Sequence, residues 1–171
     1  MASVSVGGMK PASEQELRTS FVNCSKGEAK RLPVPKDLSA QRWADLDFLG
    51  WRDPGALERA YLVAERDGEF LGLVLRSAAA SAHRPTMCTF CLTTHPGQGV
   101  ALLTARKAGS VGREGNSVGT YICSDLACSL YVRGLKSPPP GGRLKESLSL
   151  GDQVERTRTN VFGFVDRVFE R

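Results

Sequence analysis

"MCTFC", residues 87–91, and "YICSDLAC", residues 121–128, hold four of the chain's five cysteines. The spacing is Cys88-x2-Cys91, then 31 residues, then Cys123-x4-Cys128. Zinc takes four ligands in a tetrahedron, and thiolate is a strong donor for it. A C-x2-C turn sets two sulfurs on one side of an ion. "YICSDLAC" can supply the other two if Cys123 ends a strand and Cys128 sits at a helix start. A strand knuckle joined to a helix start is the layout of a treble-clef finger. A redox C-x-x-C would leave the second pair unexplained. Disulfides, unrelated buried thiols, and replacement of one cysteine by His83 or His95 are the other readings of the same residues. With four thiolates the ion has no open position for water, which argues against hydrolytic zinc chemistry.

The chain has 171 residues, 41% hydrophobic and 24% charged, which fits one soluble globular domain. No run approaches the roughly 20 apolar residues of a membrane span. The opening "MASVSVGGMKPASEQ" has no basic n-region and no apolar h-region. A cytoplasmic protein with reduced thiols is therefore expected. The formal charge is +5; four thiolates and one Zn2+ would bring it to about +3. That suits an acidic protein surface or RNA as partner.

Residues 1–12 are small, polar and glycine-rich, and are expected as a flexible end. The domain is expected over 13–171. Ser13 and Glu16 form a capping box, and Leu17, Phe21 and Cys24 share one face of a short helix. "SKGEAKRLPVPKDL" is expected to break that helix at Gly27, Pro33 and Pro35. "WADLDFLGWRDP" (43–54), with two tryptophans flanking Phe48, is expected as a packing anchor. "AYLVAE" and "FLGLVLR" around Asp67-Gly68 predict a hairpin with a type I′ turn. "QGVALLTARKAG" and "NSVGTYIC" predict two more strands, joined by a glycine-rich basic loop at 107–116. Ser124 is expected to cap a helix through "SDLACSLYVRGL". "KSPPPGGR" is a linker or an ordered turn. A last helix, about 150–170, carries Val154, Val161, Phe164, Val165 and Val168 as its apolar stripe. The fold class is α+β: a small antiparallel β-sheet with a four-cysteine treble-clef zinc finger at about 84–135 and flanking helices. A nucleophile with its base, a phosphate loop and H-E-x-x-H are all missing from the sequence, so no enzyme is expected.

"SFVNCSKGEAKRLPVP", "FLGWRDP", "AYLVAE", "MCTFC" and "GTYICSDLACSLYVRG" together resemble the treble-clef zinc-finger domain of elongation-factor-G-binding proteins of the FusB type. The similarity runs from about Ser13 to the C-terminus. It implies one structural Zn2+ held by Cys88, Cys91, Cys123 and Cys128. It also implies a non-enzymatic protein that binds elongation factor G and promotes its release from the ribosome stalled by fusidic acid. No small-molecule substrate and no membrane are implied. Exposed basic and aromatic residues of the finger would form the partner surface, the candidates being Lys107, Arg113, Tyr121, Arg133 and Lys136. Tyr121 shares a strand face with Cys123, so packing around the site is its other reading. Resistance members carry an N-terminal helical bundle, and few residues precede "FLGWRDP" here, so the resemblance implies factor binding and leaves drug resistance open. The alternative is an RNA- or ribosome-binding zinc protein.

Overall fold

The structure is a computed structural model that describes residues 7–77 and 86–170. The elements follow in chain order. Helices α1 (Glu14–Ser20) and α2 (Lys26–Arg31) precede two 3-10 turns, Leu38–Ala40 and Trp43–Asp45. Strands β1 (Leu49–Asp53), β2 (Ala56–Arg66) and β3 (Glu69–Ser77) come next, then the short strands β4 (Thr86–Met87) and β5 (Thr94–His95). Strand β6 (Val100–Arg106), helix α3 (Gly109–Arg113), strand β7 (Ser117–Cys123) and helices α4 (Cys128–Val132) and α5 (Leu150–Phe169) complete the chain.

Five strands pair antiparallel in the order β1-β2-β3-β6-β7, and β4 pairs with β5 as a separate ribbon. The β2–β3 hairpin turns at Asp67 (φ 53°) and Gly68 (φ 81°), the two positive φ angles that a type I′ turn demands. Strand alternation then sorts the side chains into two layers. Ala60, Leu62, Leu73, Leu75, Leu103, Ala105 and Ile122 are buried with α5 and the cysteine segment in the main core. Tyr61, Val63 and Val74 face the other way and pack with α1, α2 and the 3-10 turns. Gly72 permits the closest approach of that second layer: a Cβ there would lie 2.5 Å from Ser20 Oγ and 3.0 Å from the Phe21 ring. Helix α5 buries Val154, Thr157, Val161, Phe164, Val165 and Val168 at the i, i+3, i+4 repeat of an amphipathic stripe.

Several local expectations are corrected. Residues 7–12 belong to the fold: Met9 and Ala12 are buried, and the Met9 amide donates to Trp43 O at 2.8 Å. Residues 1–6 lie outside the described residues. Helix α1 has its capping box but stops at Ser20, so Cys24 sits between helices. The supposed break after it contains α2, capped by Ser25, with Gly27 only in the first turn. Residues 49–53, read as part of a packing anchor, are also an edge strand. The 107–116 loop holds one helical turn, α3. Helix α4 begins at Cys128, and Ser124 does not cap it; its hydroxyl donates to Gln98 O instead.

A buried ion pair fastens these layers. Asp47, just ahead of β1, is 0% exposed and accepts two hydrogen bonds from Arg133, at 2.7 and 3.0 Å. Arg133 is 6% exposed and also donates to Ser129 O at 3.0 Å. Arg158 of α5 stands 4.0 Å from the same carboxylate. The pair therefore joins the lead into β1, the end of α4 and the side of α5. Removing one partner strands a charge in the interior, which typically costs about 3–5 kcal/mol. Arg133→Met is expected to destabilise the fold by that amount, read from the shift of the urea midpoint at unchanged m-value.

Candidate metal centre

Three pieces of chain deliver the cysteines. The first is the β4–β5 ribbon, whose connection folds as a tight knuckle. The Cys88 amide donates to Thr93 O at 2.8 Å, the Leu92 amide donates to Cys88 O at 3.0 Å, and Leu92 turns the chain at φ 61°. Cys88 and Cys91 thereby point to one side, and the Cys91 amide points at Cys88 Sγ, 3.5 Å away. The second piece is the end of β7, which carries Cys123. The third is the first residue of α4, Cys128. Between them Leu126 adopts φ 58° and its amide donates to Cys123 O at 2.9 Å, which folds the chain back so that the pair converges.

All four sulfurs lie within 4.8 Å of one another, and all four residues are buried. Cys88 Sγ to Cys128 Sγ and Cys91 Sγ to Cys123 Sγ are each 3.6 Å. Four sulfurs about 2.3 Å from a tetrahedral zinc stand about 3.8 Å apart, so the cage has the size of the ion. The same 3.6 Å is far beyond a disulfide bond of about 2.05 Å, and all five cysteines are free. Burial pushes the Cys128 thiol well above its ordinary value, and the neighbouring thiols add to the rise. A divalent cation reverses that balance, because a coordinating thiol is deprotonated outright. The donor set fits one structural zinc.

The surroundings offset the net negative charge of such a centre. Arg143 Nη1 donates to Cys91 O at 2.6 Å and to Thr93 Oγ1 at 3.0 Å, while its Nη2 donates to Gln153 Oε1. The Thr93 hydroxyl is in turn free to donate to Cys91 Sγ, 3.2 Å away. His95 is buried against Tyr131, with Nε2 3.4 Å from Cys123 Sγ, and belongs to the surroundings of the cage. His83 lies outside the described residues. Phe90, fully buried within the knuckle, packs edge-on against Phe48 at 5.8 Å and lies tilted against Phe164 at 6.0 Å. Asn160 of α5 donates to Phe90 O at 3.1 Å. The ion is thus surrounded by parts of the main core.

This arrangement matches a known family over residues 16–168, the FBP C-terminal treble-clef zinc-finger. The chain belongs to that family. Among solved structures, the fusidic acid resistance protein FusC shares the fold, with a TM-score of 0.56 at 16% identity. The match covers 93% of this chain and 59% of FusC. The comparison with curated proteins gives no match.

The five proposed partner residues of this zinc finger do not form one surface. Tyr121 is 50% exposed, so it does not pack around the site, and its carbonyl accepts from the Thr89 amide of the knuckle at 2.7 Å. Lys136 is near the cage but reaches Asp125 at 2.8 Å and covers the Tyr131 ring. Arg133 is turned inward to Asp47 and is withdrawn from the surface set. Lys107 and Arg113 lie past the other end of the β6–β7 hairpin, where Arg106 pairs with Ser117. Six residues of strand, roughly 20 Å, separate that end from Cys123. Sequence reasoning missed Arg143 and Asp47, and weighed His95 as a substitute ligand where the structure sets it beside the cage. His95 was visible as a histidine four residues past Cys91; nothing in "PPPGGR" marked its arginine as the one that reaches the knuckle.

Metal and thiol chemistry test the cage together. Native protein is expected to carry one zinc and to alkylate at Cys24 alone, a half-buried thiol raised above its ordinary value by burial and by Glu28. That reaction should therefore quicken as pH rises. With chelator, zinc should leave, all five thiols should react, and the cooperative thermal transition should be lost, as in proteins whose metal site is part of the fold.

Proposed function

We propose that this chain is a non-enzymatic docking module that binds elongation factor G through the zinc-knuckle face, and that release of the factor from a fusidic-acid-stalled ribosome follows from that binding. The family membership supports the partner. The observation that carries the reading to a surface is the uncovered apolar rim of the knuckle. Met87 is 54% exposed and Leu144 is 82% exposed. With Leu92 they line a shallow hollow of about 190 Å3. Exposed apolar side chains grouped on a rigid support mark interaction sites. Rigidity comes from the metal beneath and from Arg143, next to Leu144 in the chain, which grips the knuckle backbone. Four thiolates fill the coordination shell of zinc, so the ion acts as a brace and has no site for a reacting water.

Immobilised protein is expected to retain purified elongation factor G at low salt in a one-to-one complex. The pair Met87→Glu and Leu144→Glu should weaken retention at least tenfold while zinc content and melting temperature stay unchanged. Failure of the intact protein to retain the factor, or undiminished retention by the paired variant, would refute the assignment. A ribosome sedimentation assay with fusidic acid then reads release separately.

A further inference from the structure

Away from the zinc, α2 and the open face of the sheet enclose three adjoining hollows of about 260, 270 and 300 Å3. Their walls carry Arg31, Arg59, Arg76, Arg106, Lys107 and Arg113. Among the described residues, Glu28 and Asp53 are the only carboxylates there, and Asp53 accepts from the Tyr61 hydroxyl at 2.7 Å, which together with the charge of Arg59 holds its carboxyl below the ordinary range. The whole chain has 23 basic and 18 acidic residues. This one channel takes six and two of them, leaving 17 and 16 for everything else, so almost the entire positive excess is concentrated on one face.

The strand register places these charges. Arg59 lies directly across from Arg76, and Arg76 from Thr104. Like charges directly opposed on a sheet repel, a cost that an anion bound between them would offset. Among the described residues, Arg76, Arg106, Lys107 and Arg113 form no salt bridge. Five of the six cations are arginines, whose planar fork matches phosphate oxygens. Asn23, Thr104 and Ser117 add polar groups to the lining.

The same sheet face runs on toward Tyr121. Leu102 pairs with Tyr121, Thr104 with Gly119 and Arg106 with Ser117. Gly119 puts no side chain on the path, and a Cβ there would press on Leu102 and Thr104 at 3.2 Å. Tyr121 stands half-exposed about four residues, roughly 14 Å, from Ser117. An arginine-lined channel that leads past Leu102 and Thr104 to one exposed ring offers what single strands use: charge for the backbone, an aromatic face for a base. An acidic protein surface would account for the charge but not for the ring at the end of the path.

We propose that the Arg59–Arg76–Arg106 channel with Tyr121 binds single-stranded nucleic acid, with phosphates along the arginines and a base on the tyrosine ring. The arginine channel lies away from the zinc-knuckle rim, while Tyr121 borders the knuckle through the Thr89 amide, so the arginine variants are the ones that separate this proposal from the factor assignment. The test is fluorescence anisotropy with labelled mixed-sequence 12-nucleotide RNA and DNA over a salt series from 50 mM KCl, using the full chain with zinc bound. Binding is expected with a steep salt dependence, and the tighter of the two probes identifies the natural class. Arg76→Glu with Arg106→Glu should weaken it at least tenfold and make the log–log salt slope shallower by about 1.4, the value for two lost phosphate contacts. Arg76→Gln with Arg106→Gln serves if the acidic pair fails to hold zinc. Tyr121→Ala should weaken binding about tenfold at unchanged slope, and Tyr121→Phe should restore it. Absence of binding at 50 mM KCl, or arginine variants that bind like the parent, would overturn the proposal. So would loss of elongation factor G binding in those variants with nucleic-acid binding intact, which would assign the face to a protein.

Discussion

Four sulfurs from three separated pieces of chain must occupy one tetrahedron a few ångströms across, and the rest of the domain is arranged around that demand. The knuckle between β4 and β5 is too short to have a core of its own. It is held by the metal on one side and, through Phe90, by Phe48 and Phe164 on the other. Cys123 makes the end of β7 part of the cage, and Cys128 does the same for α4. The sheet, the finger and helix α5 are therefore fastened at a single point. The Asp47–Arg133 pair provides a second fastening from the far side of α4.

Legibility from sequence followed the range of the interactions involved. The cysteine spacing, the Ser13–Glu16 capping box, the Asp67-Gly68 turn and the stripe on α5 are local patterns with one physical meaning each, and all four appear in the structure. Strand β1 was hidden because "LGWRD" has no alternation; its partner is chosen by β2, and its side chains divide between a packed edge and a bulge at Arg52/Asp53. Helix α2 was hidden by Gly27 and by the prolines that follow, although the glycine falls where a first turn tolerates it. Ser124 reads as a cap by composition, but the delay of the cap to Ala127 is imposed by the need to bring Cys128 back to Cys123.

Functional residues divided in the same way. The ligands announce themselves because zinc requires particular atoms at particular spacing. The surface does not, since exposed charge in a sequence carries no record of which face it occupies. Lys107 and Arg113 look like finger residues in the chain and stand at the opposite end of a hairpin in space. Arg59, Arg76 and Arg106 are scattered over three strands and become one feature only through the pairing register. Arg133 resembled an exposed cation and proved to be the buried partner of Asp47.

The nature of the cage is decided most directly by zinc K-edge X-ray absorption on the purified protein. A single shell of four sulfurs at about 2.3 Å is the expected spectrum. A mixed shell containing a nitrogen or oxygen at about 2.0–2.1 Å would contradict it, because one of the four thiols would then stand outside the cage and another group would have taken its place.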